Sequence, residues 1–128
     1  MKECTILLVD DEKEFSNTLS ERLKFRGFQV RTASSGETAM TRIEEIRPAV
    51  VLLDVMMPGM NGLETLRRIK RRWPGLPVIL LTGQGETREG MAGMRLGAFD
   101  YLLKPVNIEE LIGKTEEAIL QADPPADR

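Results

Sequence analysis

Short runs of uninterrupted apolar residues recur along the chain, and longer segments with helical spacing separate them. The clearest runs are Ile6–Val9, Val50–Leu53, Val78–Leu81 and Tyr101–Leu103. Because these runs do not alternate with polar residues, they are typical of parallel strands buried on both faces. With their flanking residues, the last two extend over Pro77–Thr82 and Phe99–Leu103. Phe28, Val30 and Thr32 alternate with polar residues and predict one further short strand.

Apolar residues at helical spacing fill the intervening segments and predict a helix after each strand. Their positions are Phe15, Leu19 and Leu23; Ala39, Met40, Ile43 and Ile46; Leu63, Leu66, Ile69 and Trp73; Met91, Met94 and Leu96 within Thr87–Leu96; and Ile108, Leu111, Ile112 and Ile119. Gly27 supplies a left-handed stop for the first helix, and Pro48 ends the second. Asn107, with Glu110 three residues later, is a capping pattern for the last. Alternating strands and helices predict an open α/β domain.

Composition supports one folded domain but does not choose its function. The chain has 128 residues, of which 41% are hydrophobic and 30% charged, so a packed core is expected. The formal net charge of −2 gives no sign of a general nucleic-acid surface. The chain has no histidine and one cysteine, which excludes an internal disulfide, thiolate–imidazole catalysis and histidine-rich metal sites. We expect that cysteine, Cys4, to be a small buried residue of the first strand.

The two ends of the chain carry further expectations. The first residues lack the apolar segment of a secretory signal, and no stretch approaches the roughly 20 apolar residues of a membrane span. We therefore expect a cytoplasmic protein that does not enter a membrane. At the other end, Pro124 and Pro125 cannot continue a helix, so residues 122–128 are expected to be a flexible tail or the start of a linker.

Polar side chains follow the apolar runs at the point where each run ends. They are Asp10 and Asp11, Asp54, Thr82, and Lys104 with Pro105. Because the carboxyl ends of parallel strands share one sheet edge, we expect these side chains to converge there. Three carboxylates repel each other unless a divalent cation neutralises them, and an all-oxygen site suits Mg²⁺. Lys104 adds the positive charge that a phosphoryl group requires, and Thr82 adds a hydroxyl.

Each of these residues has an ordinary structural explanation when taken alone. An aspartate after a strand usually caps a helix or closes a turn, and a lysine is usually a surface charge. Their joint occurrence favours a phosphate-handling site. No P-loop pattern is present, and the glycines at 83 and 85 fail the dinucleotide fingerprint because position 88 is arginine. The basic run Arg67–Arg72 is explained by a solvated helix face. The Lys104–Pro105 bond can be cis at a cost of about 0.5–1 kcal/mol.

Three segments together resemble one family, the receiver domain of two-component response regulators. They are Leu7–Glu12, Asp54–Gly62 and Gly97–Pro105. The similarity extends over roughly residues 4–121, and it departs from the family mainly at Asn61 and Val106. It implies a (βα)₅, flavodoxin-like fold with a parallel sheet in the strand order 2-1-3-4-5. We place the receiver domain at residues 1–121.

The resemblance also implies roles for individual residues. Asp54 would be phosphorylated by a sensor histidine kinase. Asp11 and Asp54 would bind Mg²⁺ directly, Asp10 through water, and the backbone carbonyl of Met56 would complete the protein ligands. Lys104 would pair with the phosphoryl group. The switch residues would be Thr82, which moves to hydrogen-bond that group, and Tyr101, which turns inward in response.

The resemblance further implies a signalling switch that catalyses only its own phosphorylation and dephosphorylation. Expected partners are a sensor histidine kinase or phosphotransfer protein and an unknown output domain or partner protein. We expect no direct nucleic-acid binding by this domain, and either a monomer or a phosphorylation-dependent homodimer.

Two other interpretations of the acids remain open from the sequence. A Mg²⁺-dependent phosphatase of the haloacid dehalogenase type also uses aspartate, Mg²⁺ and lysine, but Asp54 is not followed two residues later by a second acid. A scaffold with an incidental acidic cluster would show no response to Mg²⁺.

Overall fold

Five parallel strands form one sheet. The computed structural model describes residues 4–57, 61–83 and 87–122. Its strands are β1 (Thr5–Val9), β2 (Gln29–Ala33), β3 (Val50–Asp54), β4 (Val78–Thr82) and β5 (Asp100–Leu103). They pair in the order β2-β1-β3-β4-β5. The predicted α/β fold and the order 2-1-3-4-5 are thereby confirmed.

A helix follows each strand, as the apolar spacing predicted. The helices are α1 (Lys13–Phe25), α2 (Gly36–Ile46), α3 (Gly62–Arg72), α4 (Thr87–Arg95) and α5 (Ile108–Gln121). Gly27 and Gly97 follow α1 and α4 with φ of 98° and 107°, a backbone conformation that residues other than glycine rarely adopt. Asn107 Oδ1 accepts from the Glu110 N–H at 2.9 Å, which confirms the predicted cap of α5. None of the helices described is long and apolar enough to cross a membrane.

The sheet separates two apolar cores. In β1, Leu7 and Val9 point to one side, whereas Ile6 and Leu8 point to the other. The first core also contains helix residues from α2 and α3, among them Ile43, Leu66 and Ile69. The second core contains residues from α1 and α5, among them Leu19, Leu23 and Leu111. Burial on both faces explains why the central strands are continuously apolar.

One sequence expectation about the core is wrong. Cys4 precedes β1 and is partly exposed, whereas we expected it to be buried within the first strand. The chain enters the sheet from the solvent-exposed amino edge, and full burial begins only at Ile6. The carbonyl of Cys4 still accepts from the Gln29 N–H at 3.4 Å, so its backbone joins the ladder although its thiol does not join the core.

The basic run on α3 forms local contacts. Lys70 Nζ donates to the carbonyls of Pro74 and Leu76 at 2.8 and 2.9 Å, closing the turn after the helix. Arg68 pairs with Glu64 one turn earlier at 3.0 Å. Arg72 contacts Glu44 of α2 and lies 4.8 Å from the ring centre of Trp73. These contacts agree with the structural explanation of the run.

Candidate functional site

Neighbouring strands end in register, which brings the predicted residues to one edge of the sheet. Val9 of β1 is paired with Leu53 of β3, so the residues that follow, Asp10 and Asp54, lie side by side. Asp54 is itself paired with Leu81 of β4 on its other side. Doubly wound sheets bind their ligands at this carboxyl edge.

Three carboxylates form the centre of the site. One oxygen from each of Asp10, Asp11 and Asp54 lies within 4.8 Å of the others. Asp10 and Asp54 are 2% and 4% exposed, whereas Asp11 is exposed. Asp10 Oδ1 accepts from the Glu12 N–H at 2.9 Å. Asp54 Oδ1 accepts from the Met56 N–H at 3.3 Å, so backbone donors fix both buried groups.

Lys104 brings a single ammonium group to these acids. Its Nζ lies 3.2 Å from Asp10 Oδ2 and 3.4 Å from Asp54 Oδ1, with Glu12 Oε1 at 3.7 Å. The Lys104 N–H donates to the carbonyl of Thr82 at 2.6 Å, which joins the end of β5 to β4. The Lys104–Pro105 bond is cis, the form that the sequence allowed.

The positive charge of Lys104 does not fully offset the effects of burial and of Asp10 on Asp54. Burial, and then the charge of Asp10, raise the pKa of Asp54 from 3.8 to about 6, although Lys104 acts in the opposite direction. Burial lowers the pKa of Lys104, but the attraction of Asp54 and Asp10 outweighs it, and the pKa of Lys104 is raised. One ammonium is therefore shared between two buried carboxylates, and a further cation would stabilise their ionised forms.

The donor set fits a hard divalent cation. Its side-chain donors are all carboxylate oxygens, and the exposed Asp11 leaves one side of the cluster open to solvent. Oxygen ligands with room for retained water are what Mg²⁺ prefers. The cluster of Asp10, Asp11 and Asp54 could therefore hold this ion.

Among the described residues, neither Thr82 nor Tyr101 forms a hydrogen bond with the three acids. The Thr82 side chain is buried, and its Oγ1 donates to the carbonyl of Leu102 at 3.4 Å. Tyr101 is half-buried against the first core, and its ring lies over Gly90 of α4. A Cβ built on Gly90 would lie 2.8 Å from Tyr101 Cδ2, so the ring and the helix are in close contact.

Other residues of the site escaped the sequence prediction. Glu12 is a third acid near Lys104, and Phe15 lies below the lysine, with the ring centre 4.5 Å from Nζ. A Cβ on Gly62 would lie 2.4 Å from the Asp54 carbonyl and 2.5 Å from Val55 Cα. The helical spacing places Phe15 in the core stripe of α1, and Gly62 is only the last residue of the segment Asp54–Gly62 that resembles the family. Neither assignment indicated a contact with the site.

Comparison with known proteins gives one consistent family. A family model described as response regulator receiver domain matches residues 6–116. The chain is 42% identical over 121 residues to a transcriptional regulatory protein, the CpxR homolog of Haemophilus influenzae, covering 94% of this chain and 52% of that protein. It is 41% identical over 108 residues to the probable transcriptional regulatory protein TcrX of Mycobacterium tuberculosis, covering 84% and 46%. The chain thus spans about half the length of these curated relatives.

Solved structures agree with the sequence relatives. The receiver domain of NtrX from Brucella abortus superposes with a TM-score of 0.88 at 33% identity, covering 91% of this chain and 99% of that one. A response regulator receiver domain from Clostridium thermocellum gives a TM-score of 0.89 at 35% identity, covering 92% and 95%. Both superpositions cover more than nine-tenths of this chain.

Proposed function

This chain belongs to the family of response regulator receiver domains, and from this we propose that it is the phosphoacceptor of a two-component system. Asp54 accepts a phosphoryl group from a sensor histidine kinase or from a phosphotransfer protein of a phosphorelay. The domain is a signalling switch and not an enzyme with an external substrate, because the group that it phosphorylates and dephosphorylates is its own aspartate.

The observation that carries this proposal is a buried carboxylate whose charge is only partly compensated. Asp54 is 4% exposed, and the nearest ammonium, Lys104 Nζ, lies 3.4 Å from it and is shared with Asp10. An oxygen held in this way is fixed for attack on phosphorus, and the cation beside it favours an incoming anionic group.

The transfer follows from this geometry. An oxygen of Asp54 forms a bond to phosphorus while the bond from phosphorus to the donor's histidine nitrogen breaks, and the electron pair of that bond stays on the nitrogen. Lys104 offsets the negative charge of the transferred oxygens. When bound, Mg²⁺ supplies further charge compensation. Asp11 and Asp54 would hold it directly, Asp10 through water and Met56 through its carbonyl.

Thr82 and Tyr101 carry the response in this proposal. The hydrogen bond from Thr82 Oγ1 to the Leu102 carbonyl is long, at 3.4 Å, and therefore weak. A charged phosphoryl oxygen on Asp54 is a stronger acceptor for the same hydroxyl. Movement of Thr82 opens space toward which Tyr101 turns. Because the ring lies against Gly90, this motion reaches the exposed surface of α4.

The proposal extends to the protein that carries the domain. Residues 1–121 form the receiver in this proposal, and the tail or linker predicted at residues 122–128 lies, beyond residue 122, outside the described residues. We place the domain in the cytoplasm, as a monomer or a phosphorylation-dependent homodimer, without direct nucleic-acid binding of its own.

Labelling by a small phosphodonor tests the proposal. Acetyl phosphate with Mg²⁺ is expected to add one phosphoryl group to the parent protein and none to Asp54→Asn, as measured by intact-protein mass. Asp100→Asn is the matched control, because Asp100 pairs with Lys114 at 2.9 Å on β5 and is outside the acidic cluster. It is expected to be labelled like the parent. Equal labelling of Asp54→Asn, or full labelling in EDTA, would refute the assignment.

Metal affinity separates the roles of Asp11 and Lys104. Asp11→Ala removes the exposed ligand and is expected to weaken Mg²⁺ binding by about tenfold or more. Lys104→Ala removes a cation that competes for the same carboxylates, so Mg²⁺ affinity is expected to stay the same or increase. Isothermal titration calorimetry measures both, and unchanged binding by Asp11→Ala would contradict its role.

The contact between Tyr101 and Gly90 predicts a spectroscopic change. Gly90→Ala places a methyl group 2.8–3.0 Å from ring atoms of Tyr101, so the ring must move away. Tyr101 is the one tyrosine of the chain, and a fluorotyrosine label therefore gives a single ¹⁹F resonance. We expect this resonance to shift in Gly90→Ala and to stay unchanged in Gly113→Ala, where nothing lies within 4 Å of the added methyl. Identical spectra for all three proteins would contradict the contact.

A further inference from the structure

We propose that Phe15 is a positioning residue for Lys104, holding its ammonium over the acidic cluster through a cation–π contact. This inference rests on the proposed function, because it assigns the reason why Lys104 stays at the phosphoryl site. The ring of Phe15 lies below the ammonium, with Nζ 4.5 Å from the ring centre. That distance is within the range of favourable cation–π geometry.

The surroundings of Phe15 fix its ring. Asp10 Oδ1 accepts from the Glu12 N–H at 2.9 Å, which sets the turn from β1 into α1. Phe15 lies in the first turn of α1 and packs, half-buried, against the second core. Lys104 arrives from the end of β5 with 19% of its side chain exposed. The contact therefore joins two segments that are far apart in sequence and each anchored independently.

The ring differs in kind from the other partners of Lys104. Those partners, Asp10, Asp54 and Glu12, are carboxylates, and the attraction of Asp10 and Asp54 weakens when a divalent cation neutralises their charge. The quadrupole of an aromatic face does not depend on that charge. Phe15 would therefore retain the ammonium in the metal-loaded site, at the moment when a phosphoryl group arrives and the carboxylates hold Lys104 least.

An apolar filler is the alternative role for Phe15. Together with Lys104, Pro105 and Val106 it lines an open apolar groove of about 510 Å³, and a leucine could line that groove as well. The two roles differ in one respect, because only the positioning role depends on the electron density of the ring face. Fluorine substitution withdraws that density while changing the shape of the ring little, so it separates the two roles.

The test replaces Phe15 by phenylalanines that carry increasing numbers of ring fluorine atoms, with the same series at Phe28 as control. Phe28 is buried in the same core, and the described residues place no cation over its ring. The first readout is the ring-current shift of the Lys104 ε-methylene protons by NMR in the unphosphorylated protein, with and without Mg²⁺. The second is the initial rate of labelling by acetyl phosphate.

We expect the Lys104 shift to fall progressively with fluorination at position 15 and to persist when Mg²⁺ is added to the unsubstituted protein. The labelling rate is expected to fall by about five- to tenfold at the end of the series and in Phe15→Leu, with Phe15→Tyr close to the parent. The Phe28 series should leave both readouts unchanged.

The inference would be overturned if fluorination at position 15 changed neither the Lys104 shift nor the labelling rate in a protein whose parent is labelled. Absence of labelling in the parent would instead count against the proposed function, and the NMR readout would still decide whether the contact exists.

Discussion

Gly62→Ala is expected to destabilise the domain by about 3 kcal/mol in its free energy of unfolding. The added methyl would lie 2.4 Å from the Asp54 carbonyl and 2.5 Å and 2.7 Å from Cα and the carbonyl of Val55. These are backbone atoms of a buried strand end, so no side chain can rotate to make room. The Gly62 N–H also donates to the Val55 carbonyl at 2.8 Å, and any displacement that relieves the clash stretches this bond.

Gly113→Ala is the matched control for that measurement. Gly113 lies within α5, and a methyl added there has nothing within 4 Å. Alanine is the better helix former, so this variant is expected to gain about 0.5–1 kcal/mol. Urea denaturation of both variants measures the difference. A Gly62→Ala protein as stable as its parent would mean that α3 does not approach the Asp54–Val55 backbone this closely.

The metal-free domain is expected to be about 3 kcal/mol less stable at pH 7 than it would be without the charge on Asp54. In the folded protein the pKa of Asp54 is raised from 3.8 to about 6 by burial and by Asp10. A tenfold difference in a protonation constant corresponds to about 1.4 kcal/mol, which sets this magnitude. Asp54→Asn cannot ionise at this position and is expected to be the more stable protein by that amount in EDTA.

The direction of the Asp54 pKa shift determines the pH range in which the stability changes. A carboxyl with a raised pKa in the folded state stabilises folding below its unfolded pKa, and this contribution is lost as the pH rises toward the folded value. The parent should therefore lose stability relative to Asp54→Asn between pH 4 and about pH 6. Urea denaturation across this pH range in EDTA measures the difference in stability between the parent and Asp54→Asn. Mg²⁺ should reduce this difference. Glu116→Gln, an exposed acid-to-amide change, should stay within about 0.5 kcal/mol of the parent. Equal stability of Asp54→Asn and its parent at pH 7 would contradict the prediction.

The central strands could be predicted from the sequence because burial on both faces requires continuous apolar runs, whereas the strand order came from the resemblance to receiver domains. The runs at Val50–Leu53 and Val78–Leu81 are fully buried, and nothing but apolar residues is compatible with that position. The acidic cluster and Lys104 could be predicted for a related reason. In a parallel sheet, the residue after each strand necessarily lies at the shared carboxyl edge, so chain position alone indicates spatial proximity.

Contacts that depend on side-chain direction or on close backbone approach could not be predicted in this way. The interior glycines of α4, Gly90 and Gly93, suggest a weakened helix when only propensity is considered. In the folded domain they admit the ring of Tyr101 and the side chain of Leu80 against the helix. Phe15 likewise has the spacing of a core residue, and its contact with Lys104 depends on the path of the β5–α5 connection. Propensity alone predicts that these two glycines make α4 the least stable helix, and this stays a prediction.

The separation of the interior into two cores by the sheet has a consequence for how such a domain can diverge. Tyr101 and α4 pack on the first core, whereas Phe15 and α1 pack on the second, on the opposite side of the sheet. Substitutions that remodel one face need not be matched by compensating changes on the other. A lineage could therefore exchange its downstream target while the chemistry at Asp54 and the hold on Lys104 are inherited intact.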